Sequence, residues 1–195
     1  MQCRWKKRVA ISISISGNRN RPQPGSPPHG IWCKLHGPSK ADPLMNSDFR
    51  EWLTILSDCQ VDYLVGGGYA YIHYAEPRYT KDIDLWIRPT MENALRLREA
   101  LVRFGGWVEG MTLEHFTTER TMFQIGLPPC RVDFLTSIPG LEFASAFATR
   151  KVVEIGSLLM AIVSLADLIT AKRTSGREQD LRDVVGLERV AREEP

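Results

Sequence analysis

From Met45 onward the apolar positions recur with regular punctuation. Phe49, Trp52, Leu53 and Leu56 follow Ser47 at helical spacing, which predicts an amphipathic helix with a capped start. Residues 62–65 form a short apolar strand that runs into Gly66, Gly67 and Gly68. Residues 70–74 read as a helix, closed by Pro77. Residues 82–88 read as a strand. Thr90 caps the next helix, with Ala94, Leu97, Leu101 and Phe104 on one face and Gly105 as its stop. Residues 121–127 and 131–136 give two more strands, and helices near 164–173 and 177–191 finish the chain. Strands and helices mix without strict βαβ alternation. The pattern predicts an α+β domain over residues 45–195, a small mixed sheet flanked by helices.

Residues 1–44 follow a different pattern. Ile11, Ile13 and Ile15 alternate with serines, a strand signal with no obvious partner. Six of the twelve prolines fall within the first 43 residues, among Gly, Ser, Asn and Arg, and such a segment buries too little apolar surface to offset chain entropy. It is read as a disordered extension, with the natural start expected at Met45. A transit peptide or a basic arm for nucleic acid are the functional alternatives.

Charge sharpens that division. The chain of 195 residues has 25 Lys+Arg and 23 Asp+Glu, yet residues 1–41 hold eight of the bases and no acid. The remainder therefore carries 17 bases against all 23 acids, a net of −6, which excludes a uniformly basic nucleic-acid binder. The longest apolar run, around residues 158–168, is broken by Ser164 and Asp167, short of the roughly 18 residues of a membrane span. Cys3, Cys33, Cys59 and Cys130 lie scattered without Cys-x-x-Cys spacing, so neither a disulfide framework nor a zinc site is expected, and the setting is read as cytoplasmic.

The chemistry concentrates in Leu64-Val-Gly-Gly-Gly-Tyr-Ala and in Asp82-Ile-Asp84. Side chains two apart on a strand share a face, so Asp82 and Asp84 point the same way while Ile83, Leu85 and Ile87 point into the core. Paired carboxylates repel unless a cation lies between them, and Mg²⁺ takes carboxylate oxygens together with substrate phosphates. The glycines allow close backbone approach and lead into a helix start whose free amides favour phosphate. On a neighbouring strand, Asp133 would complete a patch of three acids able to hold two Mg²⁺ ions, activate an attacking hydroxyl and stabilise leaving pyrophosphate. A nucleoside triphosphate is the implied substrate. Taken singly, the glycines are a tight turn and the acids a solvated face. Their order is what carries the reading.

That order resembles the polymerase-β-like nucleotidyltransferase superfamily, with Gly67-Gly68 (or Gly66-Gly67), Asp82-Ile-Asp84 and Asp133 as its third acid. The phrase from Gly67-Gly68-Tyr69-Ala70 through Arg78 and Thr80 to Asp82-Ile-Asp84 looks like the stand-alone bacterial branch that includes abortive-infection type IV toxin nucleotidyltransferases. Lys172 and the run Arg177, Asp180, Asp183 fit that branch's downstream pattern. The resemblance implies a Mg²⁺-dependent nucleotidyltransferase moving a nucleoside monophosphate to an acceptor hydroxyl on a small molecule, tRNA or protein, with an antitoxin-like partner. The alternative is a non-catalytic nucleotide-binding or antitoxin-like protein of the same fold.

The supporting residues have paired readings. Thr80 shares the acids' face and suits a phosphate or a bound water. Arg78 suits phosphate or a salt bridge to a nearby acid. Lys172 is a triphosphate contact or a solvated lysine at a helix end, and Arg177, Asp180 and Asp183 read as a surface charge ladder. His73 reads as a packed histidine, and Trp86 as core or as a base-stacking ring.

Overall fold

A computed structural model of the chain describes residues 11–15, 47–78, 80, 82–106, 110–126, 131–156 and 158–193. Most of the predicted 1–44 extension, the candidate start at Met45, and Cys3, Cys33 and Cys130 lie outside the described residues. Strand β1 (Ile11–Ile15) is followed by α1 (Ser47–Asp58), β2 (Tyr63–Val65), α2 (Gly67–Tyr74), β3 (Asp82–Ile87) and α3 (Met91–Phe104). Next come α4 (Glu114–Thr117), β4 (Thr121–Ile125), β5 (Arg131–Leu135), α5 (Phe143–Ala148), β6 (Lys151–Ile155), β7 (Leu158–Ile162), α6 (Leu165–Ser175) and α7 (Glu178–Glu193). The α+β mixture matches the expectation.

The strands form one sheet in the order β1-β4-β5-β3-β2-β7-β6. β3 lies inside it, parallel to β5 and antiparallel to β2. One face of β3 and β5 presents Ile83, Leu85, Val132 and Phe134, all buried. Trp52 of α1 closes over that face, with its ring 5.6 Å from Phe134 and stacked at 3.8 Å on Phe104 of α3. This hydrophobic layer fixes β3 and β5 from behind, and the other face of the same strands is left to the acids. The helix signals read from sequence hold in detail for α3. Thr90 Oγ1 accepts from the Asn93 amide, and Gly105 ends the helix at a φ of 81°.

Several features differ from the sequence reading. The helix after the glycines starts at Gly67 rather than Ala70. The Ile/Ser alternation finds a partner, since β1 pairs antiparallel with β4. The hairpin of β6 and β7 was not foreseen at all. Leu158-Leu-Met-Ala-Ile is rich in good helix formers, yet pairing with β6 and, at Val65↔Ile162, with β2 makes it a strand. Tertiary pairing overrides local propensity there.

Candidate active site

β3 and β5 bring the three predicted acids together through their register. Asp84 is the Cα partner of Asp133, and Asp82 is the partner of Arg131. Partners on adjacent strands project to the same side, so Asp82, Asp84, Arg131 and Asp133 stand on one face. Asp133 is buried, whereas Asp82 and Asp84 are half-buried. Burial, then the neighbouring Asp82 and Asp133 carboxylates, push the Asp84 carboxyl up to about 6. Burial also raises Asp133, against the hydrogen bonds it accepts from Arg131 and Gln124.

The glycines meet these acids directly. The Gly66 amide donates to the Asp84 carbonyl at 2.9 Å, which ties the turn to β3. Gly67 adopts a φ of 55°, in the left-handed region. A Cβ placed on it would overlap the Asp84 carboxylate, so glycine is required there for two independent reasons. A Cβ on Gly68 would fall 2.6 Å from Thr80 Oγ1. Thr80 Oγ1 in turn lies 3.3 Å from Asp82 Oδ1. No side chain caps the start of α2, and its first glycines, Gly67 and Gly68, lie beside the carboxylates.

One residue of this cluster was missed by sequence reasoning. Arg131 Nε donates to Asp133 Oδ1 at 2.7 Å, and its Nη2 donates to Asp133 Oδ2 at 2.8 Å and Asp82 Oδ2 at 2.6 Å. Its position two residues before Asp133 on a strand is the signal that places it on the acids' face. Among the described residues, no three histidine, cysteine or carboxylate side chains are gathered around a single point that would hold a metal. Asp82 and Asp133 are instead drawn onto the guanidinium. The three acids nonetheless offer hard oxygen donors, and the guanidinium between two of them shows that this gap accepts positive charge.

Beside this site stands a second charged group on α6 and α7. Lys172 is buried, and its Nζ donates to Asp180 Oδ1 at 2.9 Å and Asp183 Oδ2 at 2.7 Å. The reading of Lys172 as a solvated lysine is therefore corrected. Asp180 and Asp183 are also buried and face inward, so they are not a surface ladder. Their helical spacing was read correctly, but α6 packs over the face they occupy. Arg78 closes the group with a bond from Nη2 to Asp183 Oδ2 at 2.9 Å, the salt bridge weighed from sequence. Its guanidinium also borders Gly68, which links the two groups.

Two further readings resolve. Trp86 is core, its ring 5.1 Å from Phe143 and edge-on to it. His73 is an exposed residue of α2 whose ring lies 4.8 Å from that of Tyr74, and partial burial lowers its pKa. Concavities of about 390 and 430 Å³ lie elsewhere, one beside Gln60 and Tyr63 and one beside Tyr71 and Gly186.

The chain belongs to the family described as nucleotidyl transferase of unknown function (DUF2204), whose family model matches residues 45–194. Among solved structures it is similar to an antigenic nucleotidyltransferase-like protein from Paracoccidioides brasiliensis, at 20% identity over 72% of this chain and 74% of that one, with a TM-score of 0.49. A search of curated proteins gives no match. Among the described residues, no helix is long and apolar enough to cross a membrane.

Proposed function

We propose that the chain transfers a nucleoside monophosphate from a nucleoside triphosphate to an acceptor hydroxyl, with Mg²⁺ as cofactor and pyrophosphate as leaving group. The observation that carries this reading is the convergence of Asp82, Asp84 and Asp133 on one sheet face beside the uncapped, glycine-built start of α2. Asp82, Asp84 and Asp133 would hold two Mg²⁺ ions. Bound there, the metal supplies positive charge to the triphosphate and favours loss of pyrophosphate.

The chain's own groups do the rest. The amides at Gly67 and Gly68 receive phosphate oxygens, since neither residue has a Cβ to obstruct them. Thr80 Oγ1, which donates to Asp82 at 3.3 Å, would turn its hydroxyl to the same phosphates. Arg78 borders Gly68 with a cation, and the positive charge of Lys172 reaches Asp84. Asp133, whose carboxyl binds protons more readily than an ordinary one, accepts the proton of the attacking hydroxyl. The resemblance to the abortive-infection branch makes a toxin with an antitoxin-like partner the biological role to test.

A second reading has one observation in its favour. Arg131 already engages Asp82 and Asp133, as in a protein that keeps the fold and binds nucleotide without turning it over. The test incubates the purified chain with each α-labelled nucleoside triphosphate, Mg²⁺ and cell extract, and follows label into RNA, protein or small molecules. Transfer that disappears in Asp82→Ala is the expected result. No transfer with any nucleotide, while nucleotide still binds, establishes the second reading instead.

A further inference from the structure

Arg131 is the cation of the acid cluster and has no part in the transfer chemistry above. Its guanidinium bonds the carboxylates of Asp82 and Asp133 together, across two strands, through Asp82 Oδ2 and both Asp133 oxygens. Those oxygens are also the donors a divalent ion would take. An ion about 2.1 Å from Asp82 Oδ2 or an Asp133 oxygen would lie one atom away from a guanidinium nitrogen 2.6–2.8 Å from that oxygen, and the two positive charges would repel across it. The two cations compete for these oxygens, although Arg131 leaves Asp82 Oδ1 unbonded.

The geometry also gives Arg131 a way out. Its side chain is 26% exposed, whereas that of Asp133 is 5% exposed. The long arginine stem can therefore swing its head into water, while the acid it leaves stays fixed on β5. Arg131 holds two of the acids and leaves Asp84 unbonded by it.

We propose that the acid cluster is a cation-exchange site in which Arg131 is the resident cation, displaced from Asp82 and Asp133 when a divalent metal binds. Arg131 is then a positioning residue. It keeps the acids assembled in the metal-free protein and lowers their apparent metal affinity, so that metal is favoured most when it arrives with the charge of a triphosphate. This rests on the metal-dependent reading of the site.

The test measures Mn²⁺ binding to the full chain, stripped of metal, by the electron-spin-resonance signal of free Mn²⁺. Arg131→Gln is expected to bind Mn²⁺ about tenfold or more tightly than the wild type, as competition between the two cations requires. Arg131→Lys should fall between them. In a chelator, Arg131→Gln should melt below the wild type, and Mg²⁺ should raise its Tm by more than it raises that of the wild type. A purely structural arginine would move the melting temperature but not the Mn²⁺ affinity. Should Arg131→Gln not fold, the wild type alone decides. Its Arg131 Nε–Hε resonance, assigned through its own side chain, should shift and exchange faster with water as Mg²⁺ is added. Equal or weaker Mn²⁺ binding by Arg131→Gln, an unmoved resonance at saturating Mg²⁺, or no divalent binding by either protein overturns the proposal. Nucleotidyl transfer is scored separately. A wild type that transfers nothing beside an Arg131→Gln that binds Mn²⁺ more tightly removes the proposed activity and leaves the exchange site. The reverse pattern removes only the exchange.

Discussion

Two groups of acids face cations in neighbouring parts of this fold, and they are built to opposite ends. On β3 and β5, three aspartates stand beside one arginine that bonds two of them, at a half-open face where glycines keep side chains out of the way. On α6 and α7, two aspartates share Lys172, Arg78 and Arg177, with Ser175 and Gln179 also donating to them. The first group is short of positive charge and the second has it in excess. An acid surplus at an open face invites a cation from solution, whereas a closed and compensated group holds two helices to each other and to α2. Proximity joins the two, because the charges of Arg177 and Lys172 reach Asp84 and ease its ionisation.

The sharpest way to break this contrast is to remove the buried cation of the compensated group. Lys172→Met leaves Asp180 and Asp183 buried without their shared partner, and should cost about 3 kcal/mol by urea unfolding at pH 7. Burial works to raise the Asp180 carboxyl, but the bonds from Ser175 and Lys172 outweigh it and hold the carboxyl below its ordinary 3.8. A folded value below the unfolded one means this stabilisation is present in full above pH 3.8 and is lost as pH falls through the folded value. Without Lys172, burial raises the stranded carboxyls, so the deficit of Lys172→Met should be largest at neutral pH and narrow on acidification as those carboxyls take up protons. A deficit that is small at neutral pH, or that grows on acidification, would show that the group is not a clamp.

The matching change in the open group should have the opposite sign. Asp84 has a carboxyl pushed up to about 6 by burial and two like charges, so its ionised form is a cost to the folded state. Asp84→Asn removes that charge. In a chelator at pH 7.5 it should stabilise the fold by about 1 kcal/mol, once screening by solvent is allowed for. It should also reduce nucleotidyl transfer to background. Stability gained and activity lost in one substitution is the signature of a residue kept for chemistry. A loss of stability as large as that of Lys172→Met would make the two groups equivalent and dissolve the comparison.

How much of this was legible depended on whether the signal lay along the chain or across it. The Gly67-Gly68 turn and Asp82-Ile-Asp84 are local, and the period of a strand is enough to orient both acids. Asp133 needed one further assumption, that its strand lies beside β3, and the register Asp84↔Asp133 supplies it. Arg131 was passed over because its role exists only across strands, opposite Asp82. For Lys172, Asp180 and Asp183 the spacing was visible, but burial was not, since it depends on α6 and α7 packing face to face. The β6–β7 hairpin was lost for a similar reason. Leu158–Ile162 has the composition of a helix, and only its partners on either side make it a strand.

The smallest expected effect marks where the compensated group meets solvent. Arg177 donates from Nε to Asp180 Oδ2 at 2.8 Å, much as Lys172 does from Nζ, but its side chain is 81% exposed. Water screens that pair and competes for both partners, and holding a long side chain in place costs entropy. Arg177→Ala should therefore change stability by no more than about 0.5 kcal/mol. The same bond length would thus be worth severalfold less at the rim than at Lys172. Equal losses for the two substitutions would mean that water reaches Lys172 as well, and that the two aspartates are held by charge count rather than by closure.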